Sequence, residues 1–562
     1  MDEYIIFAPR FISSEVKDNC IPIMSIISMF KNNQEQKSTD TDQPVLPWEQ
    51  RPAIFEILKA NLDENDQPIV QELPLPDEDR IHIADGNQLQ WAAGARDGVL
   101  TFHANPAEIT QKAVQIAELV KAIADNNGLN DRIALYGILM KDDVLHYLDT
   151  TIEHILNLSV KVRPYLHAFA RWLAFHAPDR GAVKFGMALL GLIRDKEDME
   201  NICILGAHDE FTLFAVVAIV QMSDNPEGTL WRLGKKVHGW GRIHIVRRLL
   251  DTKDEDIKSW LMVEGFRNTV MNEYLAYPCA VAGNLRTALL AKDIDEEMLD
   301  AAGEIIQALI NPGPMEGIDE YDDGPVVIQR YISHLLHKAN TLHQYILLQQ
   351  LSTFLQDPKA NWDARIDYGW SEDLRSDLLF DIHQILASPH WKHILSMVMS
   401  DLNTQQVWEV AKVSDALDIN IEAWCWERLQ QNPTDETSWY LMMKRMTLER
   451  LPELLSFAKL HIPLQEIAIG AAKELGFNKA FTMHRCLDCL LLKLGEFPGY
   501  GYEFVEAATR SPVIRNRNNA VKVLESWGKS HWQEGTWQLL QTASQVEPNE
   551  DVNGKMLDLL EL

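Results

Sequence analysis

Short amphipathic segments follow one another along most of the chain. Residues 181–194, 211–222, 241–250, 297–310, 376–386 and 520–527 each carry the apolar spacing and length of one short helix. A helix that short is marginal in water and must bury its apolar stripe on a neighbour. A succession of such units stacks helix on helix. It therefore predicts an all-α fold, a HEAT/armadillo-like α-solenoid. Residues 179–192 (DRGAVKFGMALLGL) align with residues 209–222 (DEFTLFAVVAIVQM), matching Val183 with Leu213, Ala188 with Ala218, Leu189 with Ile219 and Leu190 with Val220. Both segments are apolar nearly all round, as inner-layer helices are, and their Ala and Gly positions allow close approach. Residues 515–527 (RNRNNAVKVLESW) put Ala520, Val523, Leu524 and Trp527 on one stripe. The repeat is degenerate and keeps no rigid period.

The N-terminal fifth differs. Residues 31–43 (KNNQEQKSTDTDQ) are polar and unpatterned, so residues 1–46 read as disordered or as an extension. Met24 and Met29 precede that run, and a start at either is an alternative to a ragged terminus. Residues 47–104 read as a small strand-containing cap. Residues 80–84, 88–92 and 99–103 alternate or are β-branched, and Asp85-Gly86-Asn87 and Arg96-Asp97-Gly98 separate them as hairpin turns do. Asn105-Pro106-Ala107-Glu108 has a capping-box pattern and opens the helices, as Asn225-Pro226 and Thr252-x-x-Glu255 do later. The solenoid is expected over 105–315 and 371–562. A longer connection with helices is expected at 316–370, where the acidic run 319–323 and the aromatic run 362–370 fall.

The 562 residues are 46% apolar and carry a formal charge of -30, from 82 acids and 52 bases. That balance lacks the electrostatic footprint of a nucleic-acid binder and disfavours anionic membranes. The longest uncharged apolar run, residues 211–222, falls short of the ~20 needed to span a bilayer. The acidic Met1-Asp2-Glu3 start does not suit a signal peptide. Six cysteines form no disulfide framework and fit a reducing cytoplasm.

Catalytic signatures are scarce. No glycine-rich dinucleotide or phosphate loop, nucleophile elbow, haem-ligand loop or paired Glu-x-x-His is found, so no cofactor and no metal is assigned. His208-x-Glu210 matches part of an iron triad, but helix capping around Asp209 is the preferred reading. Cys486-x-x-Cys489 reads as packing within a helix, since a zinc site needs more ligands. His334/His337 and His390/His393 read as solvated helix faces.

The main candidate site is a basic island. Arg232, Lys235, Lys236, Arg242, Arg247 and Arg248 occur with His238, His244, Trp231 and Trp240, and no acid lies among them. His244, Arg247 and Arg248 share a helix face able to hold a carboxylate or phosphate. The competing reading pairs these bases with acids such as Asp251, Asp254 and Glu255. Arg96 and Asp97, between Gly94 and Gly98, are a weaker candidate where backbone approaches a ligand closely; the plain alternative is a hairpin turn.

Residues 91–103 (WAAGARDGVLTFH), 179–192, 238–250 (HGWGRIHIVRRLL), 264–276 (EGFRNTVMNEYLA) and 515–527 resemble a family of uncharacterised bacterial helical proteins, some members of which are labelled limonene hydroxylase. The resemblance is best over about residues 80–310. It implies a bacterial cytoplasmic protein, and the label implies oxidation of an apolar monoterpene, with no motif that assigns a catalytic residue here. The residues themselves point first to a protein or peptide partner held on a helical surface. Monoterpene hydroxylation, or capture of a small anion at the island, is the alternative. The sequence sets no oligomeric state.

Overall fold

A computed structural model describes Trp48 and residues 51–71, 73–78, 91–103, 110–141, 143–158 and 164–561. The described residues form thirty α-helices and no strand. Two isolated bridges, Leu62 with Pro68 and Glu474 with Val513, are the extent of β pairing among them. The all-α expectation therefore holds. The strand expected over 99–103 and the hairpin turn at Arg96-Asp97-Gly98 do not, because Ala95–His103 is one helix. Its Val, Thr and Phe favour strands only weakly, and contacts made by Asp97, Gly98 and Phe102 with other helices override that preference. Residues 1–46, the strand expected at 80–84, the turn at 85–87, most of 88–92 and the capping box at 105–108 lie outside the described residues.

The chain divides into two compact units. In the first, which takes in the described residues up to His337 and Thr353–Asp381, the helices are α1 (Ile54–Ala60), α2 (Ala95–His103), α3 (Thr110–Asn126), α4 (Leu129–Leu139), α5 (Leu148–Asn157), α6 (Pro164–His176), α7 (Arg180–Ile193), α8 (Met199–Gly206), α9 (Asp209–Met222), α10 (Pro226–Gly234), α11 (Trp240–Leu249), α12 (Glu255–Trp260), α13 (Glu273–Ala282), α14 (Leu285–Leu290) and α15 (Glu296–Ile310), followed by further helices. Consecutive helices pair, α6 with α7, α8 with α9 and α10 with α11, and the second members stack in the order α7, α9, α11, α13, α15. The aligned segments 179–192 and 209–222 are thus neighbours. Gly191 makes their contact possible, since a Cβ there would lie 3.0 Å from the Ala218 Cα. Asn225 caps α10 as expected, accepting from the Gly228 N–H at 3.0 Å. The next cap is Asp254 and not Thr252, whose hydroxyl instead accepts from the Asp254 N–H.

The second unit, Lys338–Ser352 with Ile382–Leu562, stacks Glu436–Lys444, Thr482–Leu494, Ile514–Trp527 and Glu550–Glu561 in turn. Residues 468–478 interrupt the helices and run beside 510–514 through Gly470 N–H to Arg510 and Ile514 N–H to Glu474. Arg517 locks this corner. Its guanidinium and Glu547 are fully buried as a two-bond pair at 2.6 and 2.7 Å, and it also donates to the carbonyls of Ser511, Pro512 and Ala472. Cys486 and Cys489 are free thiols on one helix, and burial raises both, Cys489 to about 12, so they stay protonated and serve as packing. Glu547→Ala leaves the Arg517 charge buried without its carboxylate. It should destabilise this unit by about 3–5 kcal/mol, read from hydrogen exchange of Ile514–Trp527.

Candidate functional site

Helix α2 brings the two candidate regions together. It docks across the starts of α7, α9, α11 and α13. Gly94 begins it at φ +70, where a Cβ would meet the Asp209 carbonyl oxygen at 2.5 Å, so glycine is required twice over. The Gly94 N–H donates to Glu210 Oε2 at 2.9 Å. One turn on, Asp97 accepts from Lys184 Nζ at 2.6 Å, and the same ammonium donates to Glu210 Oε1 at 2.7 Å. All three side chains are buried. Around them, Arg180 lies 3.6 Å from Glu210 and bonds Asp77 and Glu78, and Arg96 pairs with Asp143 at 3.1 Å. Asp97 Oδ1 is buried with no hydrogen-bond partner.

Lys184, Arg180 and Arg96 meet Asp97, Glu210, Asp143, Asp77 and Glu78 in this cluster. Burial raises the Asp97 carboxyl to about 7 despite Lys184, with Glu210 and Asp143 adding. Glu210 is buried too, but Lys184 and Arg180 together hold it down at about 2. Lys184 is held charged: burial works against it, and Asp97 and Glu210 outweigh burial.

Beyond Asp97, α2 is held by aromatic packing. Gly98 admits the buried Trp240 ring, since a Cβ there would stand 2.1 Å from Trp240 Cε3. Phe102 packs 5.9 Å from Trp240, 5.6 Å from the stacked His244 ring and 5.7 Å from Tyr274. The Arg247 guanidinium covers Phe102 at 4.8 Å. His103 meets the Tyr274 hydroxyl at 2.5 Å.

The basic island is dispersed by the fold. Arg242 is buried and structural, donating to the carbonyls of Val237 at 2.7 Å and Glu264 at 3.0 Å. Trp240 is core. His244 is buried, and burial with Arg247 and Arg248 nearby lowers it to about 4. The α11 N-terminus is already capped, by Asp209, which accepts from the Gly239 and Gly241 N–H groups at 3.2 and 2.6 Å. The cap of α9 expected from Asp209 comes instead from His208 Nδ1, which accepts from the Glu210 N–H at 3.3 Å. Arg247 and Arg248 lie in the last turn of α11, where the macrodipole favours cations. Arg232, Lys235, Arg247 and Arg248 are exposed and Lys236 is half-buried. The expected acids do not hold them: Glu255 pairs with Lys258, and Asp254 caps α12. Lys235 rests on the Trp231 ring at 3.8 Å. Among the histidine pairs, His334 is buried against the Leu289 carbonyl and His390 is half-buried, which corrects the solvated-face reading for these two.

Sequence reasoning missed Lys184, Glu210 and Arg180. The available signal was a single lysine in the middle of a helix apolar on all sides. Among the described residues no group of His, Cys, Asp and Glu is arranged to hold a metal ion, and no helix is long and apolar enough to cross a membrane. Comparison with known protein families, with curated proteins and with solved structures finds no match.

Two outcomes follow from the buried charges. Lys184→Met leaves two carboxylates buried together and should destabilise the first unit by about 3–5 kcal/mol in urea titration at pH 7. The pH profile has two limbs. His208 and His244 are each lowered to about 4, so their stabilisation is complete above 6.5 and is lost as pH falls towards 4. Asp97 is raised, so its contribution is complete below 3.8 and is lost as pH rises through about 7. His244→Phe should flatten the acid limb by up to about 1.4 kcal/mol per pH unit. Asp97→Asn should steepen that limb and level the profile above it.

Proposed function

We propose that the chain is a helical-repeat protein, an α-solenoid of HEAT/armadillo type, that captures an acidic protein or peptide segment at Arg247 and Arg248. The observation that carries this reading is their exposure without an acidic partner among the described residues, in a chain of charge -30. Cations left open against such a background attract a negative partner and speed its encounter. The flanking helices supply apolar contacts: Val217 on α9 and Val281 on α13 are 45% and 53% exposed. Arg232 and Lys235 extend the positive charge to the end of α10. An amphipathic segment with carboxylates beside small apolar side chains fits this surface. Cytoplasmic placement belongs to the same reading, supported by the five described cysteines being free thiols. Monoterpene oxidation is implied by the resemblance alone, with no motif that assigns a catalytic residue.

The test is anisotropy of a labelled glutamate-rich amphipathic peptide. Arg247→Glu with Arg248→Glu should weaken binding by about tenfold or more, with the melting temperature nearly unchanged. Wild-type affinity should fall as salt rises. Undiminished binding by the double variant would refute the reading.

A further inference from the structure

Helix α2 does not follow the pairing order of its neighbours. It lies across four stacked helices and meets each through one or two residues: Asp97 with Lys184 on α7, the Gly94 N–H with Glu210 on α9, Gly98 and Phe102 with Trp240 and His244 on α11, and Phe102 with His103 against Tyr274 on α13. Arg96 and Thr101 on it are exposed, Arg96 beside Asp143. This is the geometry of a bound peptide: a short helix with two anchors, a carboxylate in the first turn and an aromatic ring five positions on, laid over a surface built by successive helices. Resting on the reading of the chain as a partner-binding helical repeat, we infer that the surface of α7, α9, α11 and α13 beneath residues 91–103 is a peptide-binding surface, that residues 91–103 are its built-in occupant, and that a partner helix carrying the same acid and aromatic anchors displaces them.

Three features make the occupant displaceable. A nine-residue helix has little stability of its own, so its order depends on the surface beneath it. Its carboxylate anchor is imperfect, since Asp97 Oδ1 is buried without a hydrogen-bond partner. Lys184 keeps a second partner in Glu210, so its charge is not stranded when Asp97 leaves. Trp240, His244 and Tyr274 then present an aromatic floor, with Arg247 at its rim.

The probe is a fluorescein-labelled peptide of residues 91–103, added to the full-length chain. Asp97→Asn with Phe102→Ala weakens the occupant and leaves the surface intact. This variant should bind the peptide about tenfold or more tighter than the wild type, whose surface is filled. Adding Lys184→Gln should remove the binding. A folded variant that does not take up the peptide overturns the inference. Should the variant fail to fold, hydrogen exchange of the wild type decides. Amides of Ala95–His103 should open about a hundredfold more readily than those of α7 and α9. Equal protection would make α2 an integral part of the core and overturn the inference. Loss of the glutamate-rich peptide on Arg248→Glu, with no uptake of the 91–103 peptide, sinks this inference alone and leaves the proposed function standing.

Discussion

The ammonium of Lys184 is the interaction on which the first unit is organised. It is buried and donates to two carboxylates that come from different parts of the chain, Asp97 on α2 and Glu210 on α9. A buried charge is tolerated only when paired and hydrogen-bonded, so the position of each element is tied to the others. Glu210 in turn receives the Gly94 N–H, which sets where α2 begins. A neighbouring residue, Asp209, caps α11 from the side. Two consecutive acids thus fix the starts of two other helices.

This arrangement gives the candidate surface its character. Charges inside the stack are used up in internal pairs: Arg180 with Asp77 and Glu78, Arg51 with Asp179, and Arg171 with Asp198. Arg242 is spent on backbone carbonyls. The arginines at the end of α11 are different, because they lie exposed in its last turn and meet no acid among the described residues. Burial raises the Asp97 carboxyl that holds α2, which links the docking of that helix to the acidity of the medium.

Much of the fold was legible in the residues. Apolar periodicity located α7, α9, α11 and α15 to within a few residues, because a short helix facing a core must repeat its apolar positions every three or four residues. The alignment of 179–192 with 209–222 marked two helices that do pack together. The start of α2 was misread because Asp-Gly beside β-branched residues signals a hairpin locally, and nothing in residues 91–103 reveals the four helices that hold them.

The sequence by itself determined the helical class, the short stacked units, the excess negative charge and the presence of an unusual basic stretch. The tertiary structure alone decided which members of that stretch are exposed. Helical spacing puts His244 and Arg247 near one another, but the fold buries one against Phe102 and leaves the other at the surface over the same ring. It also decided that Asp97 meets Lys184, 87 positions away, and Arg517 meets Glu547, 30 positions away. Ionic partners over such separations have no local signature. Burial is a property of the packed stack, and it sets both the protonation of a side chain and its freedom to meet a partner.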